Sequence, residues 1–243
     1  MSKKNGFDFA RRLHGRAQKH IAEFERTKHW SVSPVPDTPA ERNRYELRLD
    51  RDALREKEAI AADIANNLVH ALDHVVAACV RINGLPNTRD FYYPLVDEVT
   101  FKTAKFKKRM AKLEEKVGPI YAAALERMRL KAAHQLPHLL AIKALSNSCK
   151  HWELAPMGAA GFGVAFDLPG KGKQGIGIPV DHFDQLDTFQ FVVPHGKPRH
   201  FEIIIGLGFV GLTPEMRRTV SYDPMSQYVL DVITEFETIA GGP

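Results

Sequence analysis

From Glu56 to Arg81 the chain is apolar almost everywhere except along one polar seam. At about 100° per residue, Glu56, Asp63, Asn67, His70, His74 and Arg81 fall on one narrow strip. Ile60, Ile64, Leu68, Val69, Leu72, Val75, Val76 and Cys79 fill most of the rest. A helix apolar nearly all round is buried, so the seam is expected to look inward or onto a crevice. The helix starts near Asp52 and runs about 30 residues, or about 45 Å. Asn83-Gly84 supplies its stop, and Pro86 bars resumption.

The flanking pattern predicts further elements. Residues 7–28 carry Ala10, Leu13, Ala17, Ile21 and Phe24 at three- and four-residue steps, an amphipathic helix. Three prolines make 31–40 an extended connector, and 45–49 alternates as a short strand. Residues 85–97 read as a loop whose Phe91-Tyr92-Tyr93 would plug the core rather than stack on bases. Helices are predicted over 99–117, from Pro119 to about His134, and over 137–151. Short connectors make them antiparallel.

After Trp152 the texture changes. Strands are predicted at 162–168, 175–180, 188–193 and 200–207, with turns at 169–173 and 194–198, followed by a helix over 224–239. The expected fold is α+β: a helical bundle around the long helix, a small C-terminal antiparallel sheet and a final helix capping it. It is treated as one domain, 1–243. The first part, 1–152, is mainly helical with a strand near 44–50, and the second, 153–243, is β-rich and holds the last helix.

Composition is that of an ordinary globular protein. The longest apolar run, 203–212, is too short and glycine-rich for a membrane span. The N-terminus lacks the apolar core of a signal peptide, and two cysteines suit a reducing compartment, so a cytoplasmic protein is expected. The net charge of +5 is uneven. Residues 1–51 and 98–131 are basic, whereas 52–97 and 132–243 are acidic. Lys102, Lys105, Lys108, Arg109, Lys112 and Lys116 surround one predicted helix, a face suited either to a polyanion or to plain solvation.

No cofactor is implied. Gly158, Gly161 and Gly163 lack the dinucleotide spacing, and Gly170-Lys171-Gly172-Lys173 lacks the phosphate-loop pattern; both read as turn chemistry. Asp63, His70 and His74 could present a carboxylate and two nitrogens to a metal, against the competing reading of an inward hydrogen-bonded seam. A second polar cluster, Asn147, Lys150 and His151, ends the 137–151 helix. Asp73 points about 100° from His74 and is expected to orient a group on another helix.

Asn67-Leu68-x-x-Ala71-Leu72-Asp73-His74, then Leu145-Ser146-Asn147-x-x-Lys150-His151, resembles a family of bacterial and phage-associated proteins with no settled activity. That family's motifs usually read His-Asn-Leu-Arg-Ser-Ala-Leu-Asp-His and Asn-x-Asp-Lys-His-Arg. Val69 and His70 stand here at the Arg and Ser positions, and Cys149 and Trp152 at the Asp and final Arg. The chain is more loosely similar to HEPN helical domains, many of them metal-independent ribonucleases or RNA binders, marked by an Arg four to six residues before a His. Arg129 and His134 meet that spacing at a frequency chance supplies.

Two functions follow as expectations. One is RNA binding or metal-independent cleavage, with His74 and His151 as acid and base, Lys150 as the cation, Asn67 and Asn147 as donors, and helix 102–116 tracking the backbone. The other is a non-enzymatic interaction or regulatory protein whose motifs form a structural polar network. The partner would be RNA or another protein, a second copy of the chain included, and no membrane.

Overall fold

The computed structural model describes residues 6–36, 43–85, 91–151, 157–168, 172–178, 186–193, 201–209 and 222–242. Within them, side chains are described except over 148–151, 157–162, 166–168, 172–174 and 201–209. The chain forms two compact units. The first takes residues 1–24, 60–153 and 219–243, and the second 25–59 and 154–218. The division does not fall at residue 152. The short N-terminal strand goes with the β-rich unit and the last helix with the helical one.

The helical unit is built on α1 (Asp8–Arg26) and α2 (Arg51–Ile82), each continuing a short way into the other unit. Ala10, Leu13, Ala17 and Ile21 form the buried stripe of α1, as their spacing predicts. The Asp50 carboxylate starts α2 by accepting from the Asp52 and Ala53 amides at 3.0 Å each. Gly84 ends it at φ +79°. The Gly84 amide bonds the Arg81 carbonyl and the Leu85 amide the Val80 carbonyl, a closure that glycine adopts without a Cβ penalty. Between these caps Ile64, Ala65, Leu68, Ala71, Leu72, Val75, Val76 and Cys79 are buried.

One helix predicted over 99–117 is two. α3 (Glu98–Lys102) and α4 (Ala104–Val117) meet at Thr103, whose backbone is extended at ψ 145°. Its hydroxyl oxygen accepts from the Phe106 amide at 3.2 Å and so starts a fresh helix. α5 (Pro119–Lys131) follows with proline in its first turn. A single 3₁₀ turn, Ala133–Gln135, leads into α6 (Leu136–His151). α7 (Tyr222–Gly241) buries Met225, Tyr228, Val229, Val232, Ile233 and Phe236. It stacks Phe236 on Tyr121 of α5 and pairs Glu237 with Arg11 of α1. Its apolar stripe therefore closes the helical core instead of capping a sheet.

Among the described residues the β-rich unit holds two antiparallel three-stranded sheets, not one. The first orders β1 (Trp30–Pro34), β2 (Asn43–Leu49) and β5 (Thr188–Val193). The second orders β4 (Gly172–Ile178), β3 (Met157–Leu168) and β6 (Phe201–Phe209). Of the proline-rich stretch 31–40, residues 37–40 lie outside the described residues, and the first residues belong to a strand: Trp30 registers with Leu49 and Pro34 with Tyr45. Pro34 sits where proline is tolerated, on an edge strand. Leu47, Leu49, Val164, Ile178, Phe191 and Val193 share one core.

Gly158, Gly161 and Gly163 are not turn residues. They lie within β3, opposite Gly208, Gly206 and Gly177. The register shifts between Ala159 and Gly161, a bulge that glycine accommodates. Gly172 and Lys173 also belong to a strand. The predicted turns at 169–171 and 194–198, and the stop at Pro86, lie outside the described residues. Among the described residues no helix is long and apolar enough to cross a membrane.

Candidate functional site

Several polar side chains of the helical unit line a cavity of about 370 Å³, within the size range of small-molecule sites. Val69 and Leu72 of α2 and Leu95 of the 91–95 segment supply its apolar lining. Asp73 of α2, Arg109 of α4, Lys143 and Asn147 of α6, and Tyr92 supply the polar side chains. A second cavity of about 480 Å³ shares Tyr92 and Arg109 and adds Phe91, Lys112, Leu113, Glu115 and Lys116. The two residues common to both cavities are an aromatic ring and a guanidinium.

The 91–95 segment is pinned at its middle and at its C-terminal end. The Tyr93 amide donates to Asp73 Oδ1 at 2.9 Å, and Lys143 Nζ donates to the Leu95 carbonyl at 2.5 Å. The Tyr93 ring turns inward and its hydroxyl meets that of Tyr228 at 2.6 Å. Burial pushes the Tyr228 phenol up to about 12. Tyr92, the preceding residue, is 54% exposed. The aromatic triplet is thus divided: Tyr93 serves the core as predicted, and Tyr92 faces solvent at the cavity wall.

Lys143 is half-buried, and its pKa is lowered from the ordinary lysine value. Burial is the main cause and Arg109 adds to it, while attraction to Asp73 opposes both. The cavity therefore juxtaposes one carboxylate with two cations.

The predicted site residues separate. Asp73 and Asn147 line the same cavity, and Asp73 accepts from the Tyr93 amide, a backbone group of the non-helical 91–95 segment rather than the group on another helix that was expected. His74 does not line it. Its ring lies 4.4 Å from that of Phe9 on α1, and its Nδ1 is buried without a hydrogen-bond partner among the described residues. Burial and then Arg81 lower its pKa, which favours the neutral imidazole. Asn67 is also buried and donates to the Asp63 carbonyl at 2.7 Å, within its own helix. The neighbouring Asn66 carries the contact between motifs: Ser146 Oγ donates to Asn66 Oδ1 at 2.8 Å. Lys150 and His151 end α6, and their side chains lie outside the described ones.

Among the described residues no three His, Cys, Asp or Glu side chains gather, so Asp63, His70 and His74 do not form a ligand set. Arg129 is occupied elsewhere. It pairs with Glu98 at 2.7 Å and Glu126 at 3.3 Å and lies 3.5 Å over the Phe101 ring.

Sequence reasoning missed Lys143, although it lies one helical turn before Asn147 and shares its face. Arg109 was counted only within a basic run, where nothing distinguishes it from the lysines around it. Compared with family models, curated proteins and solved structures, the chain has no match.

Proposed function

We propose that this protein binds single-stranded RNA along the face formed by α4 and Tyr92. The observation that carries the reading is the joint position of Tyr92 and Arg109 in two adjoining cavities. An exposed aromatic ring stacks on any base, and cations beside it hold the phosphates. α4 carries six cations against two carboxylates, and none of the six forms an ion pair with another described residue. Lys105, Lys107, Lys108, Arg109 and Lys112 are exposed. Asn147, exposed at the cavity, can both donate to and accept from a 2′-hydroxyl.

Binding is proposed rather than cleavage. Acid–base cleavage needs an acid and a base within reach of the 2′-hydroxyl and the leaving oxygen, and of the expected pair His151 has its side chain outside the described ones. The other, His74, is packed on Phe9.

The test is fluorescence anisotropy with a labelled oligouridine over a salt series. Affinity should fall linearly on a log–log plot as salt rises. Tyr92→Ala should weaken binding by about five- to tenfold or more, the usual range for one lost stack. Absence of binding at low salt, or indifference to Tyr92→Ala, would overturn the proposal.

The reading as a structural network for a protein partner is favoured by one observation, the Ser146–Asn66 bond joining the two motif helices. Under it, Ser146→Ala would lower stability and the α4 cations would be dispensable for partner capture.

A further inference from the structure

Beyond the RNA-binding reading, and in its regulatory half resting on it, we infer that the smaller cavity is a site for a small monocarboxylate with a hydrocarbon body, whose binding competes with RNA for Arg109. The side chains lining this cavity divide by what already engages them. Asp73 accepts from the Tyr93 amide and Lys143 donates to the Leu95 carbonyl, so both are committed to holding the wall. Arg109, Asn147 and Tyr92 line the same cavity, and their side chains have no hydrogen bond or ion pair among the described residues. Three further lining residues, Val69, Leu72 and Leu95, are apolar and buried.

A guanidinium only donates, and a carboxamide and a phenol also donate, so the ligand group that fits beside them is an acceptor. Its charge follows from the described lining. Arg109 and Lys143 set against Asp73 leave one positive charge, which a monoanion cancels. A phosphate monoester, at about −1.5 to −2 near neutral pH, would leave excess negative charge beside the half-buried Asp73, and uncompensated charge away from water is costly. A phosphodiester has the right charge but carries a sugar on each side, with little hydrocarbon to set against Val69, Leu72 and Leu95. A carboxylate on an alkyl or aryl body meets all the conditions. Its two oxygens match the parallel N–H groups of the guanidinium, and its body takes apolar surface out of water. The volume of about 370 Å³ lies at the small end of ligand sites. Arg109 and Tyr92 also line the larger cavity. A carboxylate paired with Arg109 withdraws that cation from the phosphates, so it weakens RNA binding, and RNA weakens carboxylate binding by the same factor.

The experiment titrates the full chain by calorimetry with hexanoate, hexanol, hexylamine and hexyl phosphate. Hexanoate should bind saturably at one site, hexyl phosphate more weakly, and hexanol and hexylamine not measurably. Each methylene removed from hexanoate should weaken binding by up to about fourfold. Arg109 is exposed and unpaired, so Arg109→Gln leaves the fold intact; it should weaken hexanoate by about tenfold or more, as loss of a charge-assisted pair does. Lys112→Gln alters the larger cavity alone, and it should weaken oligouridine while leaving hexanoate unchanged. In anisotropy, saturating hexanoate should bring the oligouridine affinity of wild type toward that of Arg109→Gln and leave Arg109→Gln itself unaffected. No saturable hexanoate binding, equal binding of hexylamine, or indifference to Arg109→Gln would overturn the inference, and oligouridine binding in the same samples would leave the RNA-binding reading standing. Hexanoate and oligouridine binding together without competition would overturn the shared role of Arg109. Hexanoate binding with no oligouridine binding would overturn the RNA-binding reading and uphold the carboxylate site.

Discussion

Asp73 and Lys143 hold the same short stretch of chain from two different helices, Asp73 through the Tyr93 amide and Lys143 through the Leu95 carbonyl. Two charges that could have been read as a salt bridge instead satisfy backbone groups, and Tyr93 and Leu95 are both buried. Removing the acceptor strands a desolvated donor. Asp73→Ala should therefore lower unfolding free energy by about 1–3 kcal/mol, and Asp73→Asn by less. Urea titration of the two variants checks the difference.

Lys143 also links this arrangement to pH. Its folded-state pKa lies below the ordinary 10.5, mainly through burial. Between the lowered value and 10.5 the unfolded chain binds a proton that the folded chain has released. Stability contributed at this position therefore rises with pH across that alkaline window, and the desolvation cost is fully present below it. Lys143→Met should abolish the pH dependence. The quantity to follow is the stability difference between wild type and variant from neutral pH up to about 10. A difference that stays flat would mean Lys143 keeps an ordinary pKa in the folded protein.

Much of the helical unit was legible because burial imposes a period. The stripe Ala10, Leu13, Ala17, Ile21 and the inward face of α7 appear where the spacing puts them. The sheets were less legible. Residues 188–193 look like any exposed-edge alternation, and nothing local says that their partner is residues 43–48 rather than a nearer strand. The glycines of β3 mislead for a related reason. Glycine marks turns and bulges alike, and only its cross-strand neighbour tells them apart. The site was half legible: the motifs point to α2 and α6, but helical phase alone could not say that His74 turns to Phe9 while Asp73 turns to the cavity.

His74 is thus expected to matter for stability and not for RNA affinity. Its ring contacts Phe9 at 4.4 Å. His74→Ala removes that contact and leaves a void, so it should cost about 1–3 kcal/mol, with oligouridine affinity unchanged in the folded fraction. A variant of full stability and lost affinity would return His74 to the site.

Gly118 should tolerate no side chain. It sits between α4 and α5 at φ +86°, and an added Cβ would lie 2.9 Å from Asn83 Nδ2. That amide is engaged, donating to the Lys116 carbonyl at 3.0 Å. Gly118→Ala therefore meets backbone strain and a clash together and should destabilise by about 1–3 kcal/mol. Asn83→Ala should relieve the clash but not the strain. The double variant should consequently recover part, and not all, of the loss measured in Gly118→Ala.

The β-rich unit carries an acid-sensitive group of its own. His29 is 7% exposed and Lys57 is 5% exposed. Burial and then Lys57 bring the His29 pKa from 6.5 down to about 4, against a smaller opposing contribution from the Thr27 backbone. Between these values the unfolded chain takes up a proton that the folded chain refuses. Stability supplied by a neutral His29 is therefore complete above 6.5 and is lost as pH falls toward 4, by roughly 2–3 kcal/mol over the window. His29→Phe should flatten the acid limb. Lys57→Met, which removes the repelling charge, should raise the His29 pKa and weaken the dependence rather than abolish it. Trp30, adjacent in sequence and within 4.5 Å of Lys28 Nζ, reports on this unit. Its fluorescence in a Trp152→Phe background, followed through urea unfolding at stepped pH, should show the transition weakening below pH 6.5. An acid limb unchanged by His29→Phe would move the proton uptake to another residue.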